Sequence, residues 1–189
     1  VIRLAILGST RGTNLSAIAD AIARRKLNAE IEVVISNKPD TGILERARDL
    51  QLRAQFIDPA GLSREEFDAR VSQVLREHQV ELIVLVGYMR ILSAQFVRDW
   101  QGKIINVHPS LLPAFAGMMD LQVHEAVIAS GVKETGCTVH YVTEDVDAGP
   151  IILQKQCAVE PSDSPETLKA RVQQLEGAAL VAAIELLAQ

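Results

Sequence analysis

The sequence predicts an α/β fold: a doubly wound, mostly parallel sheet with a C-terminal β-hairpin and a closing helix. Three observations carry that prediction. Short apolar runs alternate with longer helical patterns through the first hundred residues, the rhythm of βαβ units with right-handed crossovers. The short runs are nearly continuous in apolar residues, as strands buried on both faces are. After residue 136 the alternation stops, and two strand-like runs precede a long helical pattern.

The opening run Ile2–Leu7 is an apolar strand. Its Val1-Ile2-Arg3-Leu4 start has neither the charged n-region nor the apolar h-region of a signal peptide. A helical pattern over Asn14–Arg25 follows, then the strand Ile31–Ser36, the helix Ile43–Leu52, the strand Ala54–Ile57 and the helix Arg64–Glu77. Leu82–Val86 is wholly apolar and reads as a strand, and the helix Ala94–Trp100 leads to the strand Ile104–His108. Pro109 biases the residue before it to extended backbone, so this strand runs up to the histidine. Met118–His124 reads as a loop, and His124 and Glu125 open a helical run as surface or packing residues. Cys137–Thr143 and Ile151–Val159 flank a turn as a strand pair. The closing helix Ser164–Leu187 begins at Asp163-Ser164-Pro165-Glu166, with capping residues and a proline in its first turn.

The 189 residues, 48% of them hydrophobic, suit one domain over 1–189. Charged residues make up 23% and glycine and proline are ordinary, which excludes collagenous and disordered classes. A net charge of −5 gives no overall attraction to nucleic acid or an anionic membrane. The apolar runs fall far short of a membrane span. Cys137 and Cys157 are too few for a disulfide framework and form no Cys-x-x-Cys pair. Reduced thiols and a cytoplasmic setting are expected, with small molecules as partners. Nothing in the sequence specifies an oligomeric state.

In open α/β sheets ligands bind outside the carboxyl ends of the strands, so the loops after Leu7, Ser36, Ile57, Val86 and His108 carry the interest. Gly8-Ser9-Thr10-Arg11-Gly12-Thr13-Asn14-Leu15 joins a buried strand to a helix. Its glycines allow close backbone approach, and the helix start offers free N–H groups and a favourable dipole for an anion. Arg11 adds positive charge. The loop is neither a Walker loop nor a dinucleotide fingerprint. The plainer alternative is an ordinary turn with Thr13 or Asn14 as the N-cap.

Ile104-Ile105-Asn106-Val107-His108 carries the strongest chemistry. Strand side chains alternate, so Asn106 and His108 share a face with Ile104. An amide that donates to a developing oxyanion and an imidazole that donates or relays a proton make an electrophilic pair. The acidic turn Glu144-Asp145-Val146-Asp147-Ala148-Gly149-Pro150 offers a carboxylate, and a carboxylate beside an imidazole favours its charged form. Cys137 and His140 point to opposite faces of their strand, which makes a poor metal pair. Cys137 suits the core, whereas His140 faces the cleft or simply hydrogen-bonds within it. No spacing of His, Asp or Glu suggests a metal site.

Asn106-Val107-His108-Pro109-Ser110-Leu111-Leu112-Pro113, then Phe115-x-Gly117, Gly136-Cys137-Thr138-Val139-His140 and Asp147-x-Gly149, closely resemble the folate-dependent formyltransferases over essentially the whole chain. The first loop, Ser36-Asn37-Lys38 and Gly87-Tyr88-Met89-Arg90-Ile91-Leu92 resemble the branch that formylates glycinamide ribonucleotide in purine biosynthesis. The resemblance implies a Rossmann-like fold, with a nucleotide-binding half over 1–100 and a catalytic, folate-binding half over 101–189. It implies Asn106, His108 and Asp147 as the catalytic trio, with Asp147 keeping His108 protonated. Gly12, Thr13, Asn14, Gln173 and Glu176 would hold the ribonucleotide's phosphate and ribose. Arg64, Met89, Arg90, Ile91 and Leu92, with Asn106 and the turn Thr143, Glu144, Asp145, Val146 and Asp147, would hold formylfolate. There Arg64 or Arg90 would attract the carboxylates of its tail.

The implied co-substrate is 10-formyltetrahydrofolate, with no metal and no bound cofactor. Thr10 stands where the family commonly has glycine, a strained choice if that backbone is left-handed. Within the superfamily, methionyl-tRNA formyltransferases carry a basic C-terminal RNA-binding domain, and formyltetrahydrofolate hydrolases usually carry an N-terminal regulatory domain. Neither is expected in this chain of net −5. A non-catalytic folate- or nucleotide-binding module is the alternative from another class.

Overall fold

Seven strands form one sheet in a computed structural model that describes residues 1–189. In chain order the elements are β1 (Ile2–Leu7), α1 (Thr13–Ala23), β2 (Ala29–Ser36), α2 (Gly42–Asp49), β3 (Ala54–Phe56), α3 (Arg64–Glu77), β4 (Leu82–Leu85) and α4 (Ala94–Asp99). They continue through β5 (Ile104–His108), α5 (Asp120–Ser130), β6 (Glu134–Tyr141), β7 (Ile151–Ala158) and α6 (Pro165–Leu187). The strand order is β3-β2-β1-β4-β5-β6-β7. β1 to β5 pair in parallel, while β6 runs antiparallel to both β5 and β7. The chain leaves β1 toward β2 on one side, and β4 leads to β5 on the other. The crevice where ligands bind in such sheets therefore opens between the loops after β1 and β4.

The continuous apolar runs are explained by two cores, one on each face. Leu4 and Ile6 of β1 join Val84 of β4, Ile105 and Val107 of β5, and the apolar faces of α1, α2 and α6. The intervening residues Ala5, Leu7, Ile83 and Ile104 join Phe67, Val71 and Leu75 of α3, with Phe96 and Trp100 from α4 and its cap. Alternation thus divides each strand between two apolar layers, and both parities must be hydrophobic. A fully buried Leu or Ile in either layer contributes roughly 1.5–3 kcal/mol. Trp100 keeps its one donor satisfied in the second layer, where Nε1 donates to Ser72 Oγ at 3.0 Å.

Helix starts follow local chemistry. Ser63 and Glu66 form a capping box on α3, and Ser164 with Thr167 forms one on α6 behind the predicted proline. Two expectations need correction. The predicted loop Met118–His124 is mostly helix, because α5 begins at Asp120, and of the two readings of His124 its full burial takes packing over surface. β6 begins at Glu134, before the predicted Cys137, because Glu134 and Thr135 pair with Ala158 and Cys157 of β7. That extension comes from the partner strand and leaves no trace in local composition.

Candidate active site

β5 presents Ile104 to the α3/α4 core and carries Asn106 and His108 on the same side. His108 is buried at the end of the strand and Asn106 is half-buried. The turn after β6 supplies the carboxylate. Gly149 passes against the Tyr141 carbonyl, where a Cβ does not fit, and Tyr141 N–H donates to Pro150 O at 2.9 Å. Asp147 takes left-handed backbone at φ 52°, which aspartate tolerates better than most residues. Its Oδ2 lies 3.3 Å from His108 Nδ1 and accepts from the Gly117 N–H at 2.8 Å. The three residues of the expected trio are therefore brought to one place.

His140 joins them. It sits directly opposite Asn106 in the β5–β6 ladder, and its Nε2 is 3.4 Å from Asn106 Nδ2 and 3.8 Å from Asp147 Oδ1. Its Nδ1 faces the Tyr141 carbonyl at 2.9 Å and so carries the proton, which leaves Nε2 to accept from the amide. One Asn106 N–H is then held by His140 and the other is free to donate. The sequence placed His140 on the correct face but left it out of the trio. The strand register is what gives it a part.

His108 corrects one expectation. Burial lowers its pKa, and His140 adds to that, while Asp147 and the Phe115 carbonyl pull the other way and lose. That balance favours the neutral imidazole and runs against the expectation that Asp147 keeps it protonated. Both of its nitrogens face oxygen acceptors, Asp147 Oδ2 and, 3.2 Å from Nε2, the Phe115 carbonyl. A neutral ring satisfies only one of them.

The first loop is moulded on α2. Gly12, at φ 69°, lies against Ile43, where a Cβ would overlap the Ile43 side chain and come within 2.9 Å of its Cα. Ile43 N–H donates to Thr10 O at 2.9 Å, and Arg46 Nε donates to Arg11 O at 2.7 Å. α1 starts at this glycine with no side-chain cap, so neither Thr13 nor Asn14 is the N-cap. Leu15 N–H donates to Gly12 O at 3.0 Å, and the Thr13 and Asn14 N–H groups are left for an anion. Thr10 is unstrained. The left-handed residues here are Gly12 and Gly87, and the Thr10 hydroxyl packs where a Gly87 side chain would be. Across the crevice α6 closes on α1: a Cβ on Gly177 would stand 2.9 Å from that of Ala17. This brings Glu176 beside the buried Asn14 side chain, and burial pushes the Glu176 carboxyl up to about 7. Gln173 is exposed one turn earlier on α6.

The loop after β4 has no regular structure and is held by side chains. Met89 N–H donates to Ser9 Oγ at 2.9 Å, which ties it to the first loop. Met89 and Ile91 are exposed, as is Val146 in the acidic turn, whereas Leu92 packs on the α3/α4 core. Arg98 of α4 pairs with Glu144 at 3.2 Å, so the acidic turn and the loop that leads into α4 share one support. Thr143 Oγ1 donates to Asp145 O at 3.2 Å within the turn. Arg90 does not reach out for a carboxylate. Its guanidinium lies 4.1 Å from the Phe67 ring centroid and its Nε is buried. Arg64, exposed at the start of α3, is the accessible cation of the pair. No group of three His, Cys, Asp or Glu side chains is arranged to hold a metal ion.

Residues 2–184 match the formyl transferase family. A trifunctional purine biosynthetic protein adenosine-3 from Gallus gallus is 46% identical over 188 residues, which cover 99% of this chain but 18% of that protein. The chain thus spans under a fifth of the length of such multifunctional relatives. A phosphoribosylglycinamide formyltransferase from Haemophilus influenzae is 42% identical over 92% of this chain and 81% of its own. Among solved structures, glycinamide ribonucleotide transformylase 1 from Symbiobacterium toebii superposes with a TM-score of 0.94 at 41% identity, covering 100% of this chain and 88% of that one.

Proposed function

Because the chain belongs to the formyl transferase family, we propose that it transfers the formyl group of 10-formyltetrahydrofolate to the amine of glycinamide ribonucleotide, in de novo purine biosynthesis. The observation that carries this reading is the convergence of Asn106, His108 and Asp147, with His140, at the end of β5. The two walls of the crevice divide the substrates. The uncapped start of α1 at Gly12, Thr13 and Asn14 suits a phosphate, and Glu176, with Gln173 on the same helix, suits ribose hydroxyls. The exposed apolar side chains of Met89, Ile91 and Val146 suit a flat pterin, and Arg64 suits the carboxylates of its tail. In this reading the halves 1–100 and 101–189 would not divide by substrate, since the loop after β4 would serve formylfolate and α6 the ribonucleotide. The free thiols of Cys137 and Cys157 fit a cytoplasmic setting, and no helix is long and apolar enough to cross a membrane.

The chemistry follows from the resting neutral imidazole. The amine attacks the formyl carbon, and charge develops on the formyl oxygen within reach of the free Asn106 N–H. That negative charge raises the pKa of His108, whose second nitrogen already faces Asp147. The imidazolium is thus a state that the reaction creates: the proton lost by the attacking amine is accepted there and then passed toward the departing folate nitrogen. Asp147 and the Gly117 N–H fix the ring's orientation throughout.

The test follows deformylation of 10-formyltetrahydrofolate alone, with glycinamide ribonucleotide, and with initiator Met-tRNA. Turnover that requires the ribonucleotide is expected. Consumption without an acceptor would make the chain a hydrolase, turnover with the tRNA would make it a different formyltransferase, and binding without turnover would make it a non-catalytic module.

A further inference from the structure

Asp68 is a buried carboxylate that the reaction above does not use. It lies on α3, 2% exposed, and its Oδ2 accepts from the Ser93 N–H at 2.6 Å. Ser93 ends the loop after β4 and caps α4, its hydroxyl accepting from the Phe96 N–H at 3.1 Å. One residue earlier on α3, the fully buried Phe67 carries the Arg90 guanidinium on its ring. Burial raises the Asp68 pKa, and the Ser93 contacts, Arg90 and Arg64 oppose it. The loop has no ladder or helix of its own to set its shape, so its path is set where side chains grip it. Ser9 holds it at Met89, Phe67 beneath Arg90, and Asp68 at Ser93.

We propose that Asp68 is a positioning residue, which together with Phe67 fixes the Met89–Leu92 loop in the shape that receives formylfolate. The inference rests on the formylfolate reading of that loop. A desolvated carboxylate is an expensive way to satisfy one N–H. What it adds over a neutral acceptor is a stronger, charge-assisted hydrogen bond and an attraction for Arg90 and Arg64. An asparagine of the same shape still accepts from Ser93, but through a weaker, uncharged hydrogen bond. The loop is then freer, and the cost of ordering it falls on the ligand that binds it.

Asp68→Asn and Arg90→Met, singly and combined in the full chain, test this by steady-state kinetics, thermal unfolding and calorimetric titration with 10-formyltetrahydrofolate alone. Asp68→Asn is expected to raise the KM and the Kd for 10-formyltetrahydrofolate on the order of tenfold. The KM for glycinamide ribonucleotide and kcat should stay within about twofold, and Tm should not fall. The double variant should be less than additive, since both act on one loop. Unchanged formylfolate affinity, or an equal rise in both KM values, would overturn the proposal, as would weakened binding that merely tracks a lower Tm. If the wild-type protein binds 10-formyltetrahydrofolate without ribonucleotide-dependent turnover, the assigned reaction fails while the calorimetry still decides the role of Asp68. If it does not bind that molecule, both fail.

Discussion

Replacing Glu176 by glutamine removes a carboxyl whose pKa burial pushes from 4.5 to about 7, against the opposing pulls of Asn14 and Lys169. The folded-state value lies above the unfolded one, so the folded protein binds this proton more tightly. The stabilisation is fully present below about pH 4.5 and is lost as pH rises through about 7. Carried through linkage, the ionised group costs the fold about 3 kcal/mol at pH 8 and about 1 kcal/mol at pH 5. The glutamine amide has the same shape and no charge, so Glu176→Gln should be the more stable protein. Urea unfolding at the two pH values measures this. The gain should approach 2–3 kcal/mol at pH 8, roughly, and fall below about 1 kcal/mol at pH 5. The same change should raise the KM for the ribonucleotide, because a charged acceptor for ribose hydroxyls is lost. An equal gain at both pH values, or a loss at pH 8, would refute the reasoning, since the carboxyl would then not be strained by its surroundings.

Three further outcomes are expected. Asn106→Ala removes the one free amide donor beside His108 and should lower kcat on the order of 10²–10³-fold with ribonucleotide binding retained, read by steady-state kinetics. Gly12→Ala forces a side chain into left-handed backbone against Ile43 and should cost about 2 kcal/mol or more in unfolding experiments while abolishing phosphate-dependent binding. His124 is buried and its pKa is lowered to about 4, by burial first and then by Lys169. The unfolded chain takes up this proton first, so its neutral form stabilises the fold at neutral pH and that contribution is lost as pH falls from about 6.5 toward 4. The stability of His124→Leu relative to wild type should therefore improve by about 3 kcal/mol between pH 7 and pH 4, and a constant difference would mean that His124 does not titrate in this way.

What was legible in the sequence was what is local. Continuous apolar runs disclosed strands with a core on each face, and Pro109 together with simple alternation placed Asn106 and His108 on one side of β5. Asp147 was a different case. Its turn follows β6, the strand that runs against its parallel neighbours, so the rule that directs attention to carboxyl ends of parallel strands does not reach it. Only the resemblance linked it to His108. The part played by His140 depends on a cross-strand register, which no local pattern reveals. The choice between Arg64 and Arg90 as carboxylate partner is not legible either, because both charges are visible in the sequence, whereas the Phe67 ring beneath Arg90 is brought there by α3 packing. The protonation of His108 is hard to read for a related reason: a neighbouring acid can be named from a sequence, but the depth of burial that opposes it cannot.

The close contact of Gly177 with Ala17 makes the first and the last helices of the chain opposite jaws of one clamp. The proposed ribonucleotide, held by residues of both helices, would act as a removable staple between elements near the two ends of the chain. Its concentration would then govern how often the final helix lifts away, and saturating ligand at a hundred times Kd would add about 2.7 kcal/mol of resistance to that opening. Amide exchange along α6 should slow in step with occupancy, while the far edge of the sheet at β3 stays as it was.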